Sequence, residues 1–226
     1  MLNIWYRHIK QAGLALASTI LSVKLFASQV SRAQRAIMCV AVAAGLEDNW
    51  TQVRYSASQA ARSLLLSVPE NERIETLLKT LLPRICMNRF YVADGVRNLT
   101  QEIWALVMLD RGREYIEMTI TEVVDYYVVS TLGPNHMVIE AALAAIAELT
   151  AKINIVCVRP YAIQLFQASL TCLRSESWPV RDAACLSTAS VVRHHPIVLS
   201  YLGDDDNTCI DRLLDIFFVH LQDSIW

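Results

Sequence analysis

Glycine and proline are scarce, six of each in 226 residues. That shortage weighs against a large sheet protein, whose many tight turns draw on both. No CxxC pair occurs either. Cys39, Cys86, Cys157, Cys172, Cys185 and Cys209 stand far apart, mostly among apolar neighbours, which is the pattern of small buried hydrophobes in a reducing compartment, not of a disulfide framework or a zinc site. No glycine cluster is present to bring backbone amides against a phosphate, and no Gly-x-Ser-x-Gly elbow to expose a nucleophile, so nucleotide enzymes and serine hydrolases lose their usual signatures. A net charge of −2 lacks the excess of Lys and Arg that displaces counterions from nucleic acid. Long apolar runs are missing too: the stretch 12–23 stops at Lys24 after twelve residues, too short to cross a bilayer as a helix.

Hydrophobic residues make up 54% of the chain, ample for a core and more than an average soluble domain carries. With so few breakers, long helices are expected. Charge is unevenly spread. Residues 1–46 hold Arg7, Lys10, Lys24, Arg32 and Arg35 and no acid, leaving 15 basic against 22 acidic residues in a mildly acidic remainder. The basic start followed by the run 12–23 matches a signal or transit peptide in outline, but no small-x-small cleavage site follows, and the run reads as a helix with a wide apolar stripe. Asn49-Trp50-Thr51 and Asn98-Leu99-Thr100 are glycosylation sequons by pattern, without meaning in a cytosolic chain.

A period is visible. Val53-Arg54 follows the turn-like Glu47-Asp48-Asn49-Trp50, and Val96-Arg97 recurs 43 residues later. Val138-Ile139 comes after another 42 and Val180-Arg181 after a further 42, inside the ~40–47 residue span of two-helix repeats. Trp50 and Trp178 each shortly precede their Val, and Gln222-Asp223-Ser224-Ile225-Trp226 resembles the start of one more turn. Between anchors lie apolar stripes with helical spacing. They are Ile74, Leu77, Leu78, Leu81 and Leu82, then Ile116, Ile120, Val123, Val124, Tyr127 and Val128 closed by Gly133-Pro134-Asn135. Tyr161, Leu165, Phe166, Leu170 and Leu173 follow, and then Ile210, Leu213, Leu214, Phe217, Phe218 and Leu221 over 208–221. Each unit therefore reads as a first helix, a polar turn, and a second helix opening at the anchor, with second helices over 55–67, 98–108, 140–152 and 182–193. Ser177 is placed to cap the helix that begins near Trp178, and Pro179 is tolerated in a first turn that needs no N–H. Asp48, six residues before Arg54, is spaced to cap one helix while the guanidinium reaches a neighbouring unit.

The stretch Asp48-Asn49-Trp50-Thr51-Gln52-Val53-Arg54-Tyr55-Ser56-Ala57 resembles the turn inside HEAT repeats, and Val180-Arg181-Asp182-Ala183-Ala184 resembles it more closely still. Tyr91 stands where the family's Asp belongs, and Ile139 replaces Arg, which puts a continuous Asp–Arg ladder in doubt there. The resemblance covers 31–226 and implies an all-α, right-handed solenoid of antiparallel helix pairs, HEAT or armadillo-like, with about four to five repeats. The expected divisions are 1–30 as an N-terminal helical cap or flanking helix, then 31–69, 70–110, 111–154, 155–200 and an incomplete 201–226.

For such an array the expected function is non-catalytic binding of a macromolecular partner, along a concave face lined by second helices. Glu102, Glu140, Glu148 and Asp182 would make that face acidic and suit a protein partner with a basic surface or extended segment. In tubulin-binding HEAT arrays the edge turns carry an aromatic and basic residues, which makes Trp50 and Trp178 candidates for an edge strip; the alternative is an indole packed over its own helix pair. Arg89-Phe90-Tyr91 and Asp125-Tyr126-Tyr127 are further contact candidates, with core packing as the alternative. No cofactor, metal, nucleic acid or membrane is expected. His194-His195-Pro196 and the acidic 203–207 do not form a site, because adjacent helical histidines point about 100° apart and the acids lack calcium-loop spacing; the histidines suit a helix C-terminus. His8, His136 and His220 are isolated. A cytoplasmic chain is expected, with the nucleus as the alternative. The stop at Trp226, on the threshold of a fifth unit, suggests a segment of a larger assembly, transport, proteasome-adaptor or microtubule-regulating protein.

Overall fold

The computed structural model describes residues 2–202 together with 211, 213–215 and 217. Most of the expected 208–221 helix, the acidic 203–207, Cys209, His220 and Trp226 lie outside the described residues. Every regular element among the described residues is helical. In chain order these are α1 (Leu2–Ser22), α2 (Arg32–Leu46), α3 (Thr51–Leu66), α4 (Lys79–Asn88), α5 (Asp94–Ile103), α6 (Gly112–Met118), α7 (Ile120–Thr131), α8 (His136–Lys152), α9 (Ala162–Cys172) and α10 (Trp178–His194). Wider π turns lead into α4 over Arg73–Leu78 and follow α5 over Trp104–Met108.

The four valine anchors occupy one register. Val53, Val96, Val138 and Val180 are each the third residue of α3, α5, α8 and α10. Their N-cap residues Trp50, Ala93, Asn135 and Ser177 share one extended backbone conformation, with φ of −92°, −76°, −94° and −79°. The residue after each valine donates its N–H to that N-cap carbonyl, at 2.9 to 3.1 Å. Val53, Val96 and Val180 are buried and Val138 is half-buried.

Three second helices begin four residues before the stretches read from the sequence, at 51, 94 and 136, while the fourth begins at 178, where Ser177 was placed to precede it. The polar residues of Thr51-Gln52, Asp94-Gly95 and their counterparts read as turn, but a first helical turn leaves its N–H groups unbonded and tolerates such residues. Ser177 holds the N-cap position, yet its hydroxyl makes no capping bond; its own N–H meets Ser175 Oγ at 3.3 Å. Asn135 does cap, accepting from the Met137 N–H at 3.1 Å. The stripe from Ile116 to Val128 is broken at Thr119, where φ is −120° and ψ 27°, so it forms α6 and α7 in place of one helix.

The chain divides into two compact units, Met1–Val123 and Val124–Trp226. In the first, α1, α3 and α5 lie side by side as one layer, and α2 and α4 form a second layer against them. Gly45 sits at the seam, where a Cβ would stand 2.7 Å from Ala57 Cβ and 2.8 Å from Leu14 Cδ1. In the second unit α8 packs along α10, and α9 along α10. Leu143, Cys172, Leu173, Val180 and Ala184 form a core there. Each unit is thus a stack of helix hairpins in chain order, the plan of an α-solenoid.

A shared stitch joins successive first helices within each unit. The last residue of α4, Asn88, donates its amide Nδ2 to the last carbonyl of α2, Leu46 O, at 2.9 Å. In the second unit the last residue of α9, Cys172, points its thiol at the last carbonyl of α7, Thr131 O, at 3.9 Å. Second helices carry a hydroxyl stitch of their own, Ser18 with Ser63 at 3.0 Å and Thr150 with Ser190 at 2.9 Å. Helix α1 therefore meets α3 as α8 meets α10, in the position of a second helix.

Candidate protein-binding faces

Ion pairs explain the acid-free start of the sequence. Arg35 holds Glu72 through two bonds of 2.9 and 3.2 Å, Arg32 reaches Glu75 at 3.3 Å, and Lys10 binds Asp48 at 2.7 Å. The Asp48 carboxylate holds the Lys10 ammonium above its ordinary range, chiefly through that hydrogen bond. Three of the five early cations thus pair with a carboxylate that comes 37 to 43 residues later, and part of the charge asymmetry along the sequence is a mark of stacking.

The edge turn before α3 is densely connected. Asp48 Oδ1 accepts from the Trp50 N–H at 2.9 Å. Arg54, wholly buried, donates to Asp48 O at 3.1 Å and across to Asn88 Oδ1 at 2.5 Å, and stacks over the Tyr91 ring. Of the spacing argument for Asp48 and Arg54 one half is met, the reach of the guanidinium to the next first helix; the carboxylate does not cap α3 but accepts from the N-cap residue itself. The backward reach recurs: Arg97 Nη1 meets Tyr91 O at 3.5 Å and Arg181 Nη1 meets Ser175 O at 2.8 Å, again six residues upstream. Tyr91 supplies a buried ring to Arg54 and a carbonyl to Arg97.

Trp50 and Trp178 are exposed, at 49% and 58%, so neither indole is packed away over its helix pair. The Arg7 guanidinium covers the Trp50 ring at 3.8 Å from its centre, an aromatic–cation pairing on the edge of the first unit. Its partner lies 43 positions away, too far for a local reading of the turn to find. Of the other aromatic candidates, Tyr91 and Tyr127 are buried while Phe90 and Tyr126 are half-buried. Arg89 lies over the rings of Phe90 and Trp104.

The four acidic candidates are not equivalent. Glu102 pairs with Arg62 at 2.9 Å, joining α5 to α3. Glu148 is half-buried near the end of α8. Glu140 and Asp182 are each the fifth residue of their helices, α8 and α10, which pack side by side; neither makes an ion pair among the described residues. In the first unit the same register position holds Tyr55, half-open to solvent, over Gly95, whose missing side chain leaves room 3.5 Å from the ring. Tyr55, Gly95, Val96, Thr51, Gln52 and Gln11 line a groove of about 240 Å³ crossing α1, α3 and α5.

His195 caps α10, buried, with its N–H on Val191 O at 2.8 Å. Burial, with the neighbouring His194 and Arg159, lowers its pKa. Among the described residues no group of three His, Cys, Asp or Glu side chains is placed to hold a metal ion, and no helix is long and apolar enough to cross a membrane.

No family model matches the chain, and no curated protein matches it. Among solved structures, the designed armadillo repeat protein YIII(Dq)4CqI is similar to it, with 17% sequence identity over 91% of this chain and 90% of that one and a TM-score of 0.41.

Proposed function

We propose that this chain is a non-catalytic protein-binding scaffold of HEAT-like repeats, whose second helices present their exposed N-terminal halves to a partner. The observation that carries the reading is the placement of Glu140 and Asp182, two carboxylates at one register position on neighbouring helices and outside any ion pair among the described residues. A row of like charge spaced by the width of a helix suits a basic, extended protein segment, which meets one carboxylate per repeat. Glu102, held by Arg62, drops out of that row. The groove over Tyr55 and Gly95 supports the reading separately in the first unit, with an open ring, a glycine gap and two amide side chains of the kind that bond to an extended backbone. The free thiols Cys39, Cys86, Cys157, Cys172 and Cys185 support a reducing compartment such as the cytoplasm or nucleus.

The test is a fluorescence-anisotropy titration of an unstructured Lys/Arg-rich peptide, with a Glu-rich peptide of equal length as control. Glu140→Lys with Asp182→Lys should weaken binding of the basic peptide at least several-fold at low salt. Equal affinity for both proteins, or for both peptides, overturns the reading.

A further inference from the structure

The second helices of the second unit end on an edge that has no part in that reading. Helices α8 and α10 begin in one register, and near their other ends the Thr150 and Ser190 hydroxyls meet at 2.9 Å. Their C-terminal ends therefore lie side by side. Past α8 the chain makes one short helical turn, Ile155–Val158, started by Asn154, whose side chain accepts from the Val156 N–H at 3.0 Å. Past α10 it runs through the 3-10 segment Pro196–Tyr201. Ile153, Val158 and Val198 are buried and hold both loops down. What the loops lift into solvent is apolar: Ile155 at 52%, Val156 at 72% and Ile197 at 56%, with Tyr201 also exposed.

Ile155 and Ile197 each stand 17 residues after their anchor valine. Seventeen residues after Val53 and Val96 come Glu70 and Arg113, charged residues of the kind a solvated loop ordinarily carries. The loops edge the stack along its side, where a further repeat would not cover them. Exposed apolar residues gathered there mark a contact surface.

Charge identifies what it meets. Lys152 is the last residue of α8, Arg159 follows the short turn, and Arg193 is next to last in α10. All three are exposed, and none forms an ion pair among the described residues. Arg159 is near enough to His195 to act on its imidazole, so the cation of the first loop lies by the start of the second. Residues 149–175 contain no acid. Helix dipoles account for Lys152 and Arg193, but not for Arg159 or for the apolar side chains. Aliphatic ridges flanked by cations, on two adjacent loops, match a flat anionic surface: the aliphatic groups enter the interface while the cations meet phosphate and carboxylate headgroups. Such a contact needs no spanning helix, and the described residues contain none.

We infer that the edge formed by Lys152, Ile155, Val156, Arg159, Arg193 and Ile197 docks the chain onto an anionic phospholipid surface. The inference does not rest on the binding of a basic segment at Glu140 and Asp182; vesicles test the one and peptides the other.

The test is sedimentation of the full chain with vesicles of pure phosphatidylcholine or of equal parts phosphatidylcholine and phosphatidylserine. The chain should sediment with the mixed vesicles, less so as salt rises, and stay in solution with pure phosphatidylcholine. Ile155→Ser with Ile197→Ser, which leaves the charge unchanged, should weaken partitioning at least about fivefold, and Lys152→Glu with Arg159→Glu at least about tenfold. All four positions are exposed, so both variants should melt at the wild-type temperature. The inference is overturned if the mixed vesicles leave the chain in solution, if pure phosphatidylcholine takes it equally well, or if the serine variant partitions as the wild type does. It is equally overturned if a Glu-rich amphipathic peptide binds the chain and loses affinity in both variants while vesicles do not bind, since a protein then owns the edge.

Discussion

The Arg54 guanidinium lies 4.3 Å from the centre of the Tyr91 ring, and both side chains are fully buried. A charge in that position depends on its bonds to Asn88 and Asp48 O, which tie the turn before α3 to the end of α4. Arg54→Ala should destabilise the chain by about 2–4 kcal/mol, through lost packing and the stranded acceptors. Arg54→Lys should recover less than half, because an ammonium neither stacks flat nor forks between two acceptors. Arg97→Ala should cost under about 1 kcal/mol, its carbonyl bonds being long and half-exposed. Urea unfolding of the three variants checks the order, and a silent Arg54→Lys would contradict it.

Two glycines should respond in opposite directions. Gly45 has no room for a Cβ between Ala57 and Leu14, so Gly45→Val should cost about 1–3 kcal/mol or more by overpacking. Gly13, inside α1, has nothing within 4 Å of a built Cβ, so Gly13→Ala should stabilise by about 0.5–1 kcal/mol. Thermal melts of both variants decide it; a stabilising Gly45→Val would mean that α1, α2 and α3 do not meet there.

Folding lowers the His195 pKa below its ordinary value, because burial and the nearby cations disfavour the imidazolium. The unfolded chain then takes up the proton more readily, and stability falls as pH drops below about 6.5 toward the lowered pKa. Denaturation midpoints at pH 7.5, 6.5 and 5.5 should fall in that order, more steeply for the wild type than for His195→Leu. Equal slopes would remove His195 as the cause.

Burial pushes the Cys172 thiol up to about 11, where it points at Thr131 O. At pH 8 native Cys172 should therefore react with a maleimide at least about a hundredfold more slowly than in urea, since the thiolate is the reactive form. Mass spectrometry of quenched samples reads the rate, and fast native labelling would mean that the α7–α9 stitch is open.

The repeat was legible because it rests on local chemistry: Val53, Val96, Val138 and Val180 each fill one register of a helix whose first turn the surrounding residues announce. Three helix starts were misplaced by a turn because residues such as Asp94-Gly95 and His136-Met137 carry no signal separating a first helical turn from a loop, whereas Ser177-Trp178-Pro179 marked the fourth. The edge cluster was half legible. Asp48 and Arg54 are six residues apart and were expected to act together, whereas Arg7 over Trp50 and Asn88 on Arg54 join residues 43 and 34 apart in sequence, which no local pattern encodes. The same distance hid the partner of Glu102, and with it the reason that Glu140 and Asp182 remain as the candidate pair.

Hydrogen exchange with and without the bound Lys/Arg-rich peptide tests the proposed second-helix surface most directly. Slowed exchange should concentrate in the N-terminal halves of α8 and α10, around Glu140 and Asp182, and be absent from α2, α4 and α9. Protection confined to those first helices, with α8 and α10 unchanged, would contradict it.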